Sequence, residues 1–260
     1  MATSYATKRL RLLGLAAAVL VPAATASIDS ADAKITRVVI TATTPAFDGA
    51  SFGAVGAYEQ LDGTAYGEVD PRDPFNAIVA PRPIGWISSR SAKGQVNLAP
   101  YSFFNGFCYV PPIIGFSSTS WKDSVQNVQD TGEFCWNLAT MDLAKRMNAT
   151  AAHVAPDVSE FEIAGLTQAP SKIVSVPRVA ESPVSFECKV TQIIQLQGAD
   201  GKKANAWLTL GEVVAVHIDK AMIKDGVYQT GLARPIVRAG RKGDYFEIRP
   251  DAMFEMVRPD

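Results

Sequence analysis

Charge of one sign is what this chain most plainly lacks. Its 25 lysines and arginines nearly cancel 26 aspartates and glutamates, leaving a formal net charge of −1. There is therefore no basic field of the kind that nucleic acid or an acidic membrane surface requires. No run of like charges, low-complexity tract or internal repeat occurs. The three cysteines, Cys108, Cys135 and Cys188, form no C-x-x-C pair, and an odd count without framework spacing argues against a disulfide scaffold and against structural zinc. Cys135 and Cys188 fall in apolar strand patterns, where cysteine acts as a small buried hydrophobe. No G-x-G-x-x-G or Walker loop is present to signal a nucleotide-binding α/β sheet. What remains, 260 residues at 47% hydrophobic and 20% charged, is ordinary for a globular chain with one good core.

Residues 1–33 differ from the rest. Lys8, Arg9 and Arg11 precede the apolar run Leu12 to Val21, and small residues follow, ending in Ala24-Thr25-Ala26 or Ala31-Asp32-Ala33. That is the layout of a secretory leader. The run is too short, and Pro22 follows too soon, for a membrane-spanning helix. The leader implies an exported or periplasmic protein; without it the chain reads as cytoplasmic. Adjacent arginines are missing, so export in the folded state is not signalled, and a spare thiol sits awkwardly with export.

Residues 34–72 form an extension. Ile35 to Ala42 reads as a strand rich in Val, Ile and Thr. The Gly- and Ala-rich passage from Pro45 to Pro71 shows no sustained periodicity, and Asp70 to Pro74 reads as a proline-stiffened linker. Gly49-Ala50-Ser51-Phe52-Gly53 fits G-x-S-x-G, a pattern that carries a nucleophile only on a tight strand-to-helix turn. Pro45, Phe47 and Asp48 separate Ser51 from the nearest strand and no strong helix follows, so a serine esterase using Ser51 is the weakest reading.

From residue 73 to 260 the β content rises. Ile84 to Arg90 and Gln95 to Ala99 flank Ser91-Ala92-Lys93-Gly94 as a hairpin, and Ile113 to Ser118 is a short strand. Val184, Phe186, Cys188 and Val190 alternate with polar residues, the mark of a half-buried strand. A turn at Asp200-Gly201 leads to a strand with Leu208, Leu210, Val214, Val216 and Ile218 on one face, and Tyr245 to Ile248 closes the set. Asp123 is expected to cap a helix from Ser124 to just before Gly132. Thr140 is expected to precede a second helix, Met141 to Asn148, with Met141, Ala144 and Met147 on one side. Many short strands with small helices at the rim predict a mainly β fold, a barrel rather than a doubly wound sheet.

The stretch from Arg82 to Ser124 concentrates what a phosphorylated, flat aromatic cofactor needs. Lys122 precedes a helix start, so its ammonium and the first helical amides can converge on one anion. Ser88, Ser89, Ser118 and Ser124 add hydroxyls. Asn97 and Ser102 can face a polar ring edge, and Trp86, Phe103 and Phe104 offer aromatic surface. His217 lies in a strand pattern and reads as structural.

These segments, RPIGWISS (82–89), NLAPYS (97–102) and KDSVQN (122–127), resemble the flavin reductase-like family of FMN-binding split β-barrels. The resemblance covers most of the chain, from about Asp73 to Arg258. It implies that Ser88, Ser89, Asn97, Ala99, Ser102, Lys122, Asp123 and Ser124 meet FMN, the serine pair and the lysine-aspartate segment at its phosphate and ribityl chain. It further implies hydride transfer from NADH or NADPH to the flavin, a homodimer with flavin near the interface, and small-molecule partners only, apart from a possible electron-acceptor protein. A non-enzymatic flavoredoxin-type electron carrier is the alternative. His153 could lie near a nicotinamide or its phosphate, though a lone histidine is more often structural. Residues 34–70 resemble instead the amino-terminal segment of a secreted α/β-hydrolase-like family.

Overall fold

The computed structural model describes residues 5–15, 35–45, 58–68, 74–152, 154, 158–240 and 243–259. The chain divides into two compact units, residues 1–78 with 240–242, and residues 79–239 with 243–260.

The first unit holds a three-stranded antiparallel sheet of β1 (Tyr5–Leu15), β2 (Ile35–Pro45) and β3 (Tyr58–Glu68), ordered β1-β3-β2, and a short helix α1 (Pro74–Ile78). The strand expected from Ile35 is present. β3 was not expected, since Asp62, Gly63 and Gly67 weaken its local preference. It is the central strand, and hydrogen bonding on both edges supplies what propensity does not. Gly49 to Gly53, with Ser51, lies outside the described residues.

The second unit runs through β4 (Arg82–Pro83), β5 (Gly85–Arg90), β6 (Val96–Tyr101), β7 (Phe104–Tyr109), β8 (Pro112–Ser118), α2 (Asp123–Thr131), β9 (Glu133–Asn137), α3 (Ala144–Ala149), α4 (Glu160–Ile163), β10 (Gln168–Ala169) and β11 (Arg178–Val179). Two long strands follow, β12 (Val184–Gln197) and β13 (Lys203–Ile218), then β14 (Ile223–Lys224), β15 (Val227–Tyr228), β16 (Ile236–Arg238) and β17 (Tyr245–Glu247). Seven strands form one antiparallel sheet, ordered β6-β5-β9-β12-β13-β8-β7.

One sheet face encloses Ile87, Tyr101, Ile114, Phe116, Phe134 and Cys188, with Val128 of α2 against them. On the opposite face Trp86 and Leu98 pack with Leu143, Met147 and Phe161 around α3 and α4. β5 is thus covered on both sides, and five of its six residues are buried. This double cover, which an alternating pattern would not predict, decides the fate of the serines below.

Three local expectations need correction. α2 spans the expected residues, and Gly132 at φ 70° closes it with its N–H on the Val128 carbonyl, but Lys122 rather than Asp123 occupies the N-cap and no side chain caps the first turn. The second helix starts only at Ala144, because Thr140 is bridged to Pro235 and the Met141 N–H is taken by the Arg234 carbonyl. Met141 is consequently exposed while Met147 is buried. In β12, finally, both Ser185 and Glu187 are buried along with Val184 and Cys188, because the segment before β11 lies against their side of the strand.

Candidate functional site

The β5–β6 hairpin, the end of β8 and the start of α2 bring the three sequence segments together. Register sets Ser89 opposite Asn97 and Ser88 opposite Leu98, and α2 packs across both strands.

The two adjacent serines point to opposite faces, as consecutive strand residues must. Ser88 Oγ donates to the Pro177 carbonyl at 2.7 Å and accepts from Asn137 Nδ2 at 3.3 Å. Ser89 Oγ accepts from Asn127 Nδ2 at 3.1 Å, which ties α2 to β5. Neither serine has any exposed surface. Of the two hydroxyls expected as ligand donors, that of Ser88 donates within the chain and the oxygen of Ser89 accepts there, beneath the cover on each face of β5. Trp86, expected as aromatic surface, is wholly buried with its Nε1 donating to Thr150 Oγ1 at 3.0 Å.

Asn97 sits in a polar chain that sequence reasoning missed. With its amide nitrogen toward Glu160 Oε1 (3.2 Å), its oxygen accepts from Ser124 Oγ at 2.9 Å and from the Leu98 N–H at 3.2 Å. Glu160 Oε2 also accepts from the Leu98 N–H, at 3.0 Å. Burial raises the Glu160 carboxyl above its ordinary range despite that bond. The Tyr101 hydroxyl is hydrogen-bonded to Ser124 and Ser118; burial pushes its pKa up against the pull of those two partners. Ser118 Oγ in turn donates to the Ser120 carbonyl at 2.7 Å. Ser118 and Ser124 are therefore buried members of one network from Glu160 to the β8–α2 loop.

What faces solvent is a shorter set. Lys122 and Asp123 are exposed, and Ala99, Ser102, Phe103 and Phe104 are half-buried. Phe104 stacks on Trp136, ring centroids 5.6 Å apart and 7° from parallel. The Arg82 guanidinium lies 5.6 Å from the Phe103 ring centre. Arg82 is itself buried and donates to the Val79 and Ala239 carbonyls. These contacts fix two aromatic rings at the end of the hairpin.

Beside this set opens a cleft of about 250 Å³ lined by Lys93, Asn97, Asp123, Asn127, Asp130 and Glu160 among others. Three carboxyl groups to one ammonium make it a poor place for a phosphate. Lys122, which does not line that cleft, suits one better: a cation with no ion pair to a described residue, beside first-turn amides of α2 without a side-chain cap. The exposed Asp123 carboxylate is the one unfavourable neighbour. On that donor set the residues present fit the phosphate end of a flavin nucleotide, with Ser102, Phe103 and Phe104 available to the ring. Among the described residues no His, Cys, Asp and Glu cluster could hold a metal ion. His153 lies outside the described residues.

Comparison with known proteins gives the family and the fold. The family model described as flavin reductase like domain matches residues 79–236. An uncharacterised protein of Halalkalibacterium halodurans is 36% identical over 180 residues, which cover 65% of this chain and 86% of that protein. Nitrilotriacetate monooxygenase component B from Bacillus cereus superposes with a TM-score of 0.65 at 31% identity, covering 70% of this chain and 90% of its own. A flavin reductase with a split barrel domain from Shewanella frigidimarina superposes at 0.61 with 22% identity, over 72% and 89% of the two chains, and speaks for the fold alone. Nothing in these likenesses supports the hydrolase resemblance of residues 34–70.

Proposed function

This chain belongs to the flavin reductase-like family, and from that premise we propose that it is an NAD(P)H-dependent flavin reductase that holds FMN between Lys122 and the Ser102–Phe104 loop. The fold is a split β-barrel, and the family supports a flavin-using oxidoreductase. The observation that carries the finer reading is the pairing of an exposed Lys122, without an ion pair to a described residue, and a helix start lacking a side-chain cap with half-buried aromatic rings on one hairpin.

Bound flavin supplies the two-electron acceptor for hydride from the nicotinamide. The chain's own residues therefore need only hold, orient and shield it. Lys122 neutralises the phosphate and Ser102 offers a hydroxyl to the ring edge. The network from Glu160 through Asn97, Ser124 and Tyr101 keeps the supporting strands in register. No acid–base pair is required of the protein.

The protein acts as a homodimer in this proposal. Phe107, Tyr109 and Val110 are 54%, 96% and 89% exposed on and beside β7, an edge strand of the barrel sheet, and an apolar, uncharged edge is a surface that a partner covers.

The test is the absorption spectrum of the purified protein followed by NADH and NADPH oxidation with and without added FMN. A yellow protein whose oxidation of one nicotinamide rises with FMN fits the proposal. Bound flavin with negligible turnover indicates an electron carrier instead, and a protein that never takes up FMN rejects both.

A further inference from the structure

We propose that Trp121, backed by Trp207 and flanked by Lys122, is a stacking site for the adenine ring of a nucleotide. The inference deepens the flavin-reductase reading, because FAD and the nicotinamide dinucleotides carry the same adenylate half.

Trp121 is 43% exposed, yet it is not a loose surface ring. Its Nε1 donates to Gln126 Oε1 at 2.8 Å, and Gln126 Nε2 donates to Asp130 Oδ1 at 2.9 Å, so a side-chain relay along α2 fixes the indole. Trp207 meets it edge-to-face, centroids 5.2 Å apart and 83° between planes. An edge-to-face contact engages at most one face of one ring, and 43% of Trp121 stays exposed beside it. A large apolar ring held rigid in water gains nothing for the fold that burial would not supply better. It is preorganised for another flat ring, and purines are the strongest common stackers on such ledges.

The surroundings choose the ligand's other half. Register sets Trp207 opposite Ser118, which joins the ledge to the β8–α2 loop. Lys122 follows Trp121 directly, exposed and without an ion pair to a described residue. A base on the indole thus puts its own phosphate within reach of the ammonium. Adenine nucleotides combine a flat base with a nearby phosphate; free flavin mononucleotide uses the lysine but leaves the ledge empty.

Isothermal titration with AMP tests the subsite without flavin or turnover. We expect AMP to bind the wild-type protein, to bind roughly tenfold more weakly to Trp121→Ala, and to keep most of its affinity in Trp121→Phe, while ribose 5-phosphate, lacking a base, does not distinguish the three. Equal AMP affinity in wild type and Trp121→Ala, or no AMP binding into the millimolar range, overturns the proposal. Two further arms identify the source of the adenylate. Loss in Trp121→Ala of a wild-type preference for FAD over FMN assigns the ledge to the flavin dinucleotide, whose pyrophosphate then shares Lys122; a raised KM for the nicotinamide at unchanged kcat, with FMN saturating and its phosphate on Lys122, assigns the indole alone to NAD(P)H. Trp121-dependent AMP binding in a protein that takes up neither flavin would uphold the subsite and sink the flavin-reductase reading, so the two fail separately. Thermal melts of both variants confirm folding, which the exposure of the ring leads us to expect.

Discussion

His217 Nε2 lies 2.5 Å from Glu187 Oε1, and that carboxylate has no exposed surface. The pair bridges β12 and β13, while the same carboxylate accepts from the N–H groups of Lys172, Ile173 and Val174 at 2.7, 2.6 and 3.0 Å. A loop before β11 is thus fastened to the barrel by one side chain. His217, read from sequence as structural, is part of the fastening.

Acid stability follows from that clasp. Burial alone would raise the Glu187 carboxyl, but the Lys172 amide, the His217 ring and the Ile173 and Val174 amides outweigh it and lower the pKa from 4.5 to about 2. A folded-state pKa below the unfolded one gives stability that is complete above the unfolded value and is lost as pH falls through the folded value. The stability difference between wild type and Glu187→Gln, measured by urea unfolding, should therefore shrink between pH 4.5 and about 2. Glu187→Ala at neutral pH should cost about 3 kcal/mol, since the buried Val174 amide, the part-buried Lys172 and Ile173 amides and the His217 ring all lose their acceptor. A pH-independent difference would show that the carboxylate is not charged in the folded state.

Lys122 and Ser89 should separate binding from folding. Lys122→Ala removes an exposed ammonium and should weaken FMN by roughly 10- to 100-fold, the worth of one charge-assisted bond, with no change in Tm. Ser89→Ala instead leaves Asn127 Nδ2 without its buried acceptor and should lower stability by about 1–3 kcal/mol. Fluorescence titration of FMN alongside thermal melts reads both. Unaltered FMN affinity in Lys122→Ala would remove the phosphate assignment.

Gly211 marks a tight point of the core. A Cβ there would lie 2.4 Å from the ring of Phe134, which is itself fully buried. Gly211→Ala should destabilise by about 1–3 kcal/mol through overpacking. Gly106, on the exposed edge strand β7, has open space where a Cβ would go, so Gly106→Ala should leave Tm nearly unchanged. Similar melting of the two variants would contradict the packing described.

The thiols should react unequally. Cys108 is exposed, whereas burial pushes the Cys135 thiol up to about 12 and raises that of Cys188 as well. A thiol reagent should titrate Cys108 promptly in the native protein and all three cysteines only after unfolding. Prompt modification of Cys135 would mean that the segment around Ser171 and Val176, whose atoms touch its sulfur, opens readily.

Much of the fold could be read from the chain because its signals are local. The hairpin around Gly94 needs a residue at φ 88°, the β12–β13 turn one at φ 76° at Gly201, and the end of α2 one at φ 70°; glycine occupies all three. The errors arose where a distant partner decided the outcome. Thr140 failed to start a helix because Pro235 claims it. The partners of Ser88 and Ser89 were equally hidden: Ser88 donates to the Pro177 carbonyl and Ser89 accepts from Asn127, both far along the chain. Glu160 carried no motif at all, and its role appears only when the Leu98 amide arrives against it from 62 residues away. Trp121 was passed over because a single aromatic beside a lysine has no sequence signature; its fixed, open indole is a product of Gln126 and Trp207.

The order of residues by itself determined the family, the β-rich character and the three segments that gather around α2, because turn chemistry, side-chain alternation and motif spacing act over a few neighbouring positions. Tertiary structure alone decided which polar groups in those segments stay exposed and which are bonded within the fold. A hydroxyl or carboxylate in a covered strand must bond to whatever the chain brings beside it, since leaving it unpaired away from water is costly, and what is brought there depends on contacts spanning dozens of residues.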